Sequence, residues 1–216
     1  GFLAEGCTLV VPAFFYESVT APPRGNYRRN GINYSTLPPE DLPGVSYTGS
    51  TDQIDRSMGI IPKTLLSYPA AYRTNNPLNS FCVCGPETEN LIAGESLTDA
   101  YSIYKNIFAS GKKARIVLAG VSFTSCTPIH YAEEFSGRTL FRRWAMHEGR
   151  TEEIEVGSCS EDFEKLRGPM RRLETETFLG NAAMRIYPFR EFISLAAEEI
   201  KKNPEITACS PDCERC

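Results

Sequence analysis

Histidine is scarce in this chain, with only His130 and His147 among 216 residues, and no apolar run approaches the length that crosses a bilayer. The opening residues Gly-Phe-Leu-Ala-Glu-Gly lack the basic and apolar regions of a signal peptide, so the expectation is a cytoplasmic protein that does not use a membrane. There is no dinucleotide fingerprint and no phosphate-binding glycine loop. Gly111-Lys112-Lys113 is missing both the upstream glycine and the following Ser or Thr that such a loop needs. Basic charge is not in excess either: a net charge of −4 argues against a general nucleic-acid binder and suits a cationic partner. What remains is the composition of an ordinary globular domain, 41% hydrophobic and 23% charged, long enough to bury one core. The expectation is a single domain over residues 1–216, with a long surface loop at 17–50 and a cysteine-containing tail at 203–216. Tyr16, Tyr27, Tyr34 and Tyr47, in or beside that loop, read as solvent-facing decoration or as walls of a pocket. Eight cysteines in a chain of this size read as reduced core residues or metal ligands rather than as a disulfide framework.

The chain is organised around residues 114–134. Ile116, Val117, Leu118, Ala119 and Val121 form an apolar run bounded by charge on one side and Ser/Thr on the other, the pattern of a strand buried on both faces. A helix is predicted to follow, with Thr127 as N-cap and Pro128 at the first helical position, where its missing N–H costs nothing. His130 then lies in the first turn. Orphan N–H groups and the helix dipole there disfavour a ring proton and favour the neutral form that a general base needs. Glu133 and Glu134, three and four residues on, share or flank its face and are placed to orient the ring or to hold a cationic amine. A strand, a tight turn and a polar helix start are where open α/β sheets put ligands. A lone histidine in this place is also read as one that only caps or packs its helix.

Residues 6–16 and 80–84 read as buried strands, the second with Cys82 and Cys84 as core thiols. A helix start is expected near Asp55 or Ser57, with Met58, Ile61 and Leu65 on one face, and residues 96–108 read as an amphipathic helix. Residues 140–146 and 152–156 are predicted to pair as a hairpin turned by His147-Glu148-Gly149-Arg150, which makes His147 a turn residue. Residues 160–173 read as a helix interrupted at Gly168-Pro169. A last strand is expected at 181–187 and a helix at 188–202, in which Glu198 can pair with Lys202.

Four patches carry a resemblance. Gly120-Val121 followed by Thr127-Pro-Ile-His130-Tyr-Ala-Glu133 resembles the Leu-Gly-Val and Thr-x-x-His-x-Ala-Glu signature of the aminoglycoside 3-N-acetyltransferase family. Gly6-Cys-Thr-Leu-Val-Val-Pro12-Ala-Phe14 is similar to the family's Gly-Thr-Leu-Val-Met-Pro-Thr-Phe. In the family that string follows a first helix and strand, so its place here implies either a chain without that part or a shortened relative. The part in question carries a Ser-rich loop and helix start that help grip coenzyme A in the family. Met58-Gly59-Ile60-Ile61-Pro62 is similar to the family's Met-Gly-x-Ile-Pro-Glu and departs from it at Lys63, where a cation stands in place of the acid. Arg73-Thr-Asn-Asn76-Pro77-Leu-Asn-Ser80-Phe-Cys-Val-Cys-Gly85 resembles Arg-Ser-x-His-Pro-x-x-Ser-Phe-Ala-Ala-x-Gly, with Asn76 in place of histidine.

The resemblance implies a three-layer α/β/α sandwich around a mixed β-sheet. It also implies an acetyl-CoA-dependent N-acetyltransferase acting on an amino group of an aminoglycoside, by likeness the 3-amino group. His130 would be the general base and Glu133 its orienter; Thr127, Ser102 and Ser80 would face the cofactor, and Asp52, Asp55 and Glu134 the substrate. Direct attack within a ternary complex is favoured, because no cysteine has a clear base partner; Cys126, four residues before His130, is the exception to test. Two alternatives stay open. One is a catalytically impaired relative acting as a binding protein, for which Lys63 and Asn76 speak, and the other is an acyltransferase for a different amine. A homodimer is also left open. In the tail, Cys209, Cys213 and Cys216 have a spacing near that of zinc knuckles. Three thiolates need a fourth ligand, from Cys159 or His147, and a free or disulfide-linked tail is the competing reading.

Overall fold

The computed structural model describes residues 1–23, 41–210 and 212–213, so most of the predicted long loop, with Tyr27 and Tyr34, and the tail residue Cys216 lie outside the described residues. In chain order the strands are β1 (Leu9–Pro12), β2 (Tyr72–Arg73), β3 (Phe81–Cys84), β4 (Arg115–Ala119), β5 (Phe141–His147), β6 (Arg150–Val156), β7 (Thr175–Leu179) and β8 (Ala182–Pro188). The helices are α1 (Ile61–Leu66), α2 (Thr88–Ile92), α3 (Ser102–Ser110), α4 (Pro128–Phe135), α5 (Arg167–Met170) and α6 (Phe189–Lys202). The chain is thus mixed in helix and strand. Among the described residues the strands pair antiparallel in three small sheets, ordered β1-β3-β2, β4-β8-β7 and β5-β6, and the central mixed sheet of a sandwich is not among them. The chain divides into two compact units, one of Gly1–Asn106 with Phe141–Val156 and the other of Ile107–Leu140 with Gly157–Cys216.

In the first unit, β3 is buried along its whole length and brings Cys82 and Cys84 into a core with Ala13 and Leu65, the packing role expected of them. Burial pushes the Cys82 thiol up to about 11, against a smaller opposing pull from Arg73. Arg73 ties the unit together. Its guanidinium lies 5.1 Å from the centre of the Tyr47 ring and donates to the carbonyls of Ser50, Ala13 and Gln53. Tyr47 is therefore core, not loop decoration: it is 1% exposed and its hydroxyl donates to the Thr74 carbonyl at 2.7 Å. The β5-β6 hairpin forms as predicted, with Glu148 and Gly149 both at positive φ, 47° and 78°, the two-residue turn that matches strand twist. The expected helix near residue 55 is shorter than the sequence suggests. Asp55 caps a single turn at Arg56–Met58, and α1 follows with Ile61 on the surface and only Leu65 of the predicted face fully buried.

Gly85, at the end of β3, has φ +139°, and a Cβ there would lie 2.5 Å from Thr8 Cα and 2.6 Å from the Cys7 carbonyl oxygen. Both are backbone atoms that cannot rotate away. Gly85→Ala is expected to cost about 3 kcal/mol through strain and overpacking, read as a lower denaturant midpoint at unchanged m-value.

In the second unit, β4 departs from expectation. Ile116 and Leu118 are buried, but Arg115, Val117 and Ala119 are exposed, so the strand is covered on one face only. The run of apolar residues hid this alternation, because Val117 and Ala119 are apolar without being buried. β7, absent from the sequence reading, is exposed throughout, and a string containing Glu176 and two threonines gave no burial pattern to detect. α4 packs on α6, which buries Phe192, Ile193, Ala196 and Ile200 at helical spacing. Lys202 pairs with Glu199 at 2.8 Å instead of with Glu198. Among the described residues, no helix is long and apolar enough to cross a membrane.

Candidate active site

The predicted turn between β4 and α4 is present. Gly120 takes φ +70°, the chain tightens over Phe123–Ser125, and Pro128 opens α4 at its first position. Thr127 occupies the cap position but its side chain makes no capping bond, and its backbone N–H donates to Ser125 O at 3.1 Å. The N–H groups of Ile129 and His130 are likewise committed, to Cys126 O and Thr127 O. The start of α4 therefore offers none of these three backbone donors to a ligand.

The geometry centres on His130 and Glu133. His130 Nδ1 lies 3.1 Å from Glu133 Oε2, the side chain of His130 being 12% exposed and that of Glu133 fully buried. A carboxylate facing Nδ1 requires the proton on that nitrogen, which leaves Nε2 with its lone pair whenever the ring is neutral. Phe163 meets the imidazole edge to face with centroids 4.7 Å apart and fixes the plane of the ring. The carboxylate has further partners. Ser158 Oγ donates to Glu133 Oε2 at 2.5 Å, Thr207 Oγ1 to Oε1 at 2.8 Å, and the Arg138 guanidinium to Oε1 as well. Arg138 also donates to Thr207 Oγ1 and to the Pro204 carbonyl.

Burial on its own would raise the Glu133 pKa, but the hydrogen bond and charge of His130, the Ser158 hydroxyl and the Arg138 charge outweigh it and hold the carboxyl below its ordinary 4.5. A carboxyl depressed in the folded state adds stability that is fully present above its unfolded value and lost as pH falls through the folded one. The protein is thus expected to lose stability on acidification below about pH 4.5, and Glu133→Gln is expected to flatten that acid limb. Urea denaturation of both proteins across the acid range measures the difference.

The other sequence-derived residues are dispersed among different roles. Ser80 is fully buried, donates to Ala13 O at 2.7 Å and accepts from Arg73, so its hydroxyl is spent on the fold instead of facing a cofactor. Asp55 is occupied in capping Ser57, Asp52 is exposed in a turn, and Glu134 is half-buried beside Glu133. Ser102 begins α3 and lines a cavity of about 260 Å³ in the first unit with Asn76, Asn79, Glu95, Asp99 and His147; His130 is not among its lining residues. Asn76 serves the fold there, accepting from Asn79 N–H at 3.0 Å and donating to Leu97 O. Cys126 is 1% exposed, and burial pushes its thiol pKa far up, which removes it as a nucleophile. Of the tail cysteines, Cys209 and Cys213 come together with Cys159; His147 belongs to the first unit and is not in that group. Ser158, Arg138 and Thr207 were not legible in the sequence. They stand 25, 5 and 74 residues from Glu133, and no periodicity connects them.

Comparison with known proteins finds a family match and a shared fold. The family model described as aminoglycoside 3-N-acetyltransferase matches residues 2–201. Among solved structures, a mutant of the aminoglycoside acetyltransferase AAC(3)-IVa in complex with gentamicin is 18% identical, with a TM-score of 0.71, covering 97% of this chain and 75% of that one. The YokD protein from Bacillus subtilis is 21% identical with a TM-score of 0.71, covering 92% and 76%. The binary complex of AAC-IIIb with CoASH is 16% identical with a TM-score of 0.66, covering 94% and 80%.

Proposed function

The chain belongs to the aminoglycoside 3-N-acetyltransferase family, and from that premise we propose that it moves the acetyl group of acetyl-CoA to an amino group of an aminoglycoside, with His130 as general base. The observation that carries this reading is the His130–Glu133 pair. Its imidazole is anchored through Nδ1 on a buried carboxylate and is still partly open to solvent.

The amine lone pair attacks the thioester carbonyl carbon, the C–S bond breaks, and coenzyme A leaves as its thiolate. Nε2 of His130 takes the proton that the nitrogen must lose and can return it to the departing sulfur. Glu133 holds the tautomer and balances the imidazolium while it exists, as the carboxylate of a Ser-His-Asp triad does for its histidine. One feature supports a single transfer within a ternary complex: Cys126, the cysteine nearest His130 in sequence, is sealed in the interior. With the backbone donors of the α4 start already paired, the Thr127 hydroxyl is the group proposed to face the developing oxyanion. Ser102 and the cavity it lines are assigned to an arm of the cofactor, since about 260 Å³ is too small for the whole of it. Glu134 and Asp52 are assigned to the cationic substrate. The complexes of relatives with gentamicin and with CoASH support these two ligand classes. The single-domain, three-layer arrangement belongs to the same reading.

The test is release of free thiol from acetyl-CoA by the purified protein, followed across a panel of aminoglycosides and simpler amines. Aminoglycoside-dependent release is expected. No release with any amine would reject the reading, and release with simple amines alone would assign a different substrate.

A further inference from the structure

The tail of the second unit gathers three thiols, two from the tail itself and one, Cys159, that the sequence offers only as an alternative to His147. Cys159 comes from the segment after β6, and Cys209 and Cys213 flank a turn in which the Cys213 N–H donates to Ser210 O at 3.1 Å. Cys159 is buried, the other two are half-buried, and none is in a disulfide. All three Sγ atoms lie within 4.8 Å of one another, and those of Cys159 and Cys209 are 3.7 Å apart. Zinc–sulfur bonds of about 2.3 Å in a tetrahedron place neighbouring sulfurs about 3.8 Å apart. The three side chains therefore stand close to one triangular face of such a site before any ion is added.

We propose that Cys159, Cys209 and Cys213 bind one zinc ion as thiolates. Of the two fourth ligands that the sequence left open for the tail thiols, Cys159 and His147, the fold supplies Cys159, from 50 residues away. Soft thiolate donors select a borderline-soft d¹⁰ ion over magnesium or calcium, and zinc imposes no geometry of its own on three ligands already in place. Among the described residues no further His, Cys, Asp or Glu joins the group.

The placement gives the ion a structural consequence. Cys159 follows Ser158 directly and Cys209 lies two residues beyond Thr207, and both hydroxyls donate to Glu133. A zinc bridge would tie together the two segments that grip the carboxylate of the His130 pair. The site itself rests on the thiol geometry and is read without any substrate; only its effect on turnover rests on the acyl-transfer reading.

The experiment is metal analysis of the full chain, purified under reducing conditions with zinc and then desalted. One zinc per chain is expected, falling to background in Cys209→Ser and Cys213→Ser and unchanged in the exposed-cysteine control Cys7→Ser. Circular dichroism checks that the variants are folded. Cobalt added to the metal-free wild type is expected to give thiolate charge-transfer absorption and the intense visible bands of a tetrahedral sulfur-rich site. Absence of bound metal, retention of it in both variants, or a Cys159–Cys209 disulfide in the alkylated native protein would overturn the proposal. Zinc bound without any thiol release would keep the site and reject the transferase. In an active protein, removing zinc is expected to lower kcat while leaving KM for acetyl-CoA near its starting value.

Discussion

His130→Ala is expected to lower kcat by about 100- to 10,000-fold, the range that a positioned acid–base group supplies, with much smaller changes in KM for either substrate. The expectation follows from where the ring sits. Glu133 fixes Nδ1 as the protonated nitrogen at 3.1 Å and Phe163 holds the ring plane, so Nε2 is the only atom of the pair able to take a proton from an incoming amine. Alanine removes the acceptor and leaves the buried carboxylate its bonds from Ser158, Thr207 and Arg138, so the fold is expected to survive. The measurement is initial-rate thiol release under saturating acetyl-CoA, with circular dichroism as the folding control. Full activity in His130→Ala would remove the imidazole from the chemistry and assign the proton transfer to another group.

Glu133→Ala is expected to have the largest effect on stability, a loss of about 3–5 kcal/mol, because removing one partner of a buried pair strands the other. Arg138, two hydroxyls and the His130 Nδ1–H all aim at this one carboxylate, and none can follow a methyl group. Each stranded donor adds its own desolvation cost. Glu133→Gln separates structure from chemistry. The amide keeps the shape and one acceptor oxygen, so most of the stability is expected to remain, while the balancing charge for an imidazolium is gone and kcat is expected to fall with KM little changed. Denaturant titration of both variants beside their steady-state kinetics measures the two effects. Equal stability of the alanine variant and wild type would show that the network carries no net energy.

Local features were legible where short-range chemistry is strong. Pro128 after a Ser/Thr-rich turn predicted the start of α4, the Glu148-Gly149 turn predicted the β5-β6 hairpin, and the apolar spacing of Phe192, Ile193, Ala196 and Ile200 predicted α6. The contact between His130 and Glu133 was legible for the same reason, since residues three apart on a helix share a face. Ser80 was misread because its place in a family-like string says nothing about whether its hydroxyl faces a ligand or the carbonyl of Ala13. Tyr47 was misread because a loop residue becomes core once Arg73 and Thr74 fold against it.

By itself the sequence determined the helix that carries the imidazole, the acid three residues after it and the family to which both belong, because these depend on spacing within one or two turns of chain. Only the tertiary structure decided that the acid is fully buried, that Ser158, Arg138 and Thr207 close around it, and that Cys159 meets the tail cysteines. Those groups are brought together by loop closure over tens of residues. Its entropic cost is repaid by core packing that no local pattern encodes.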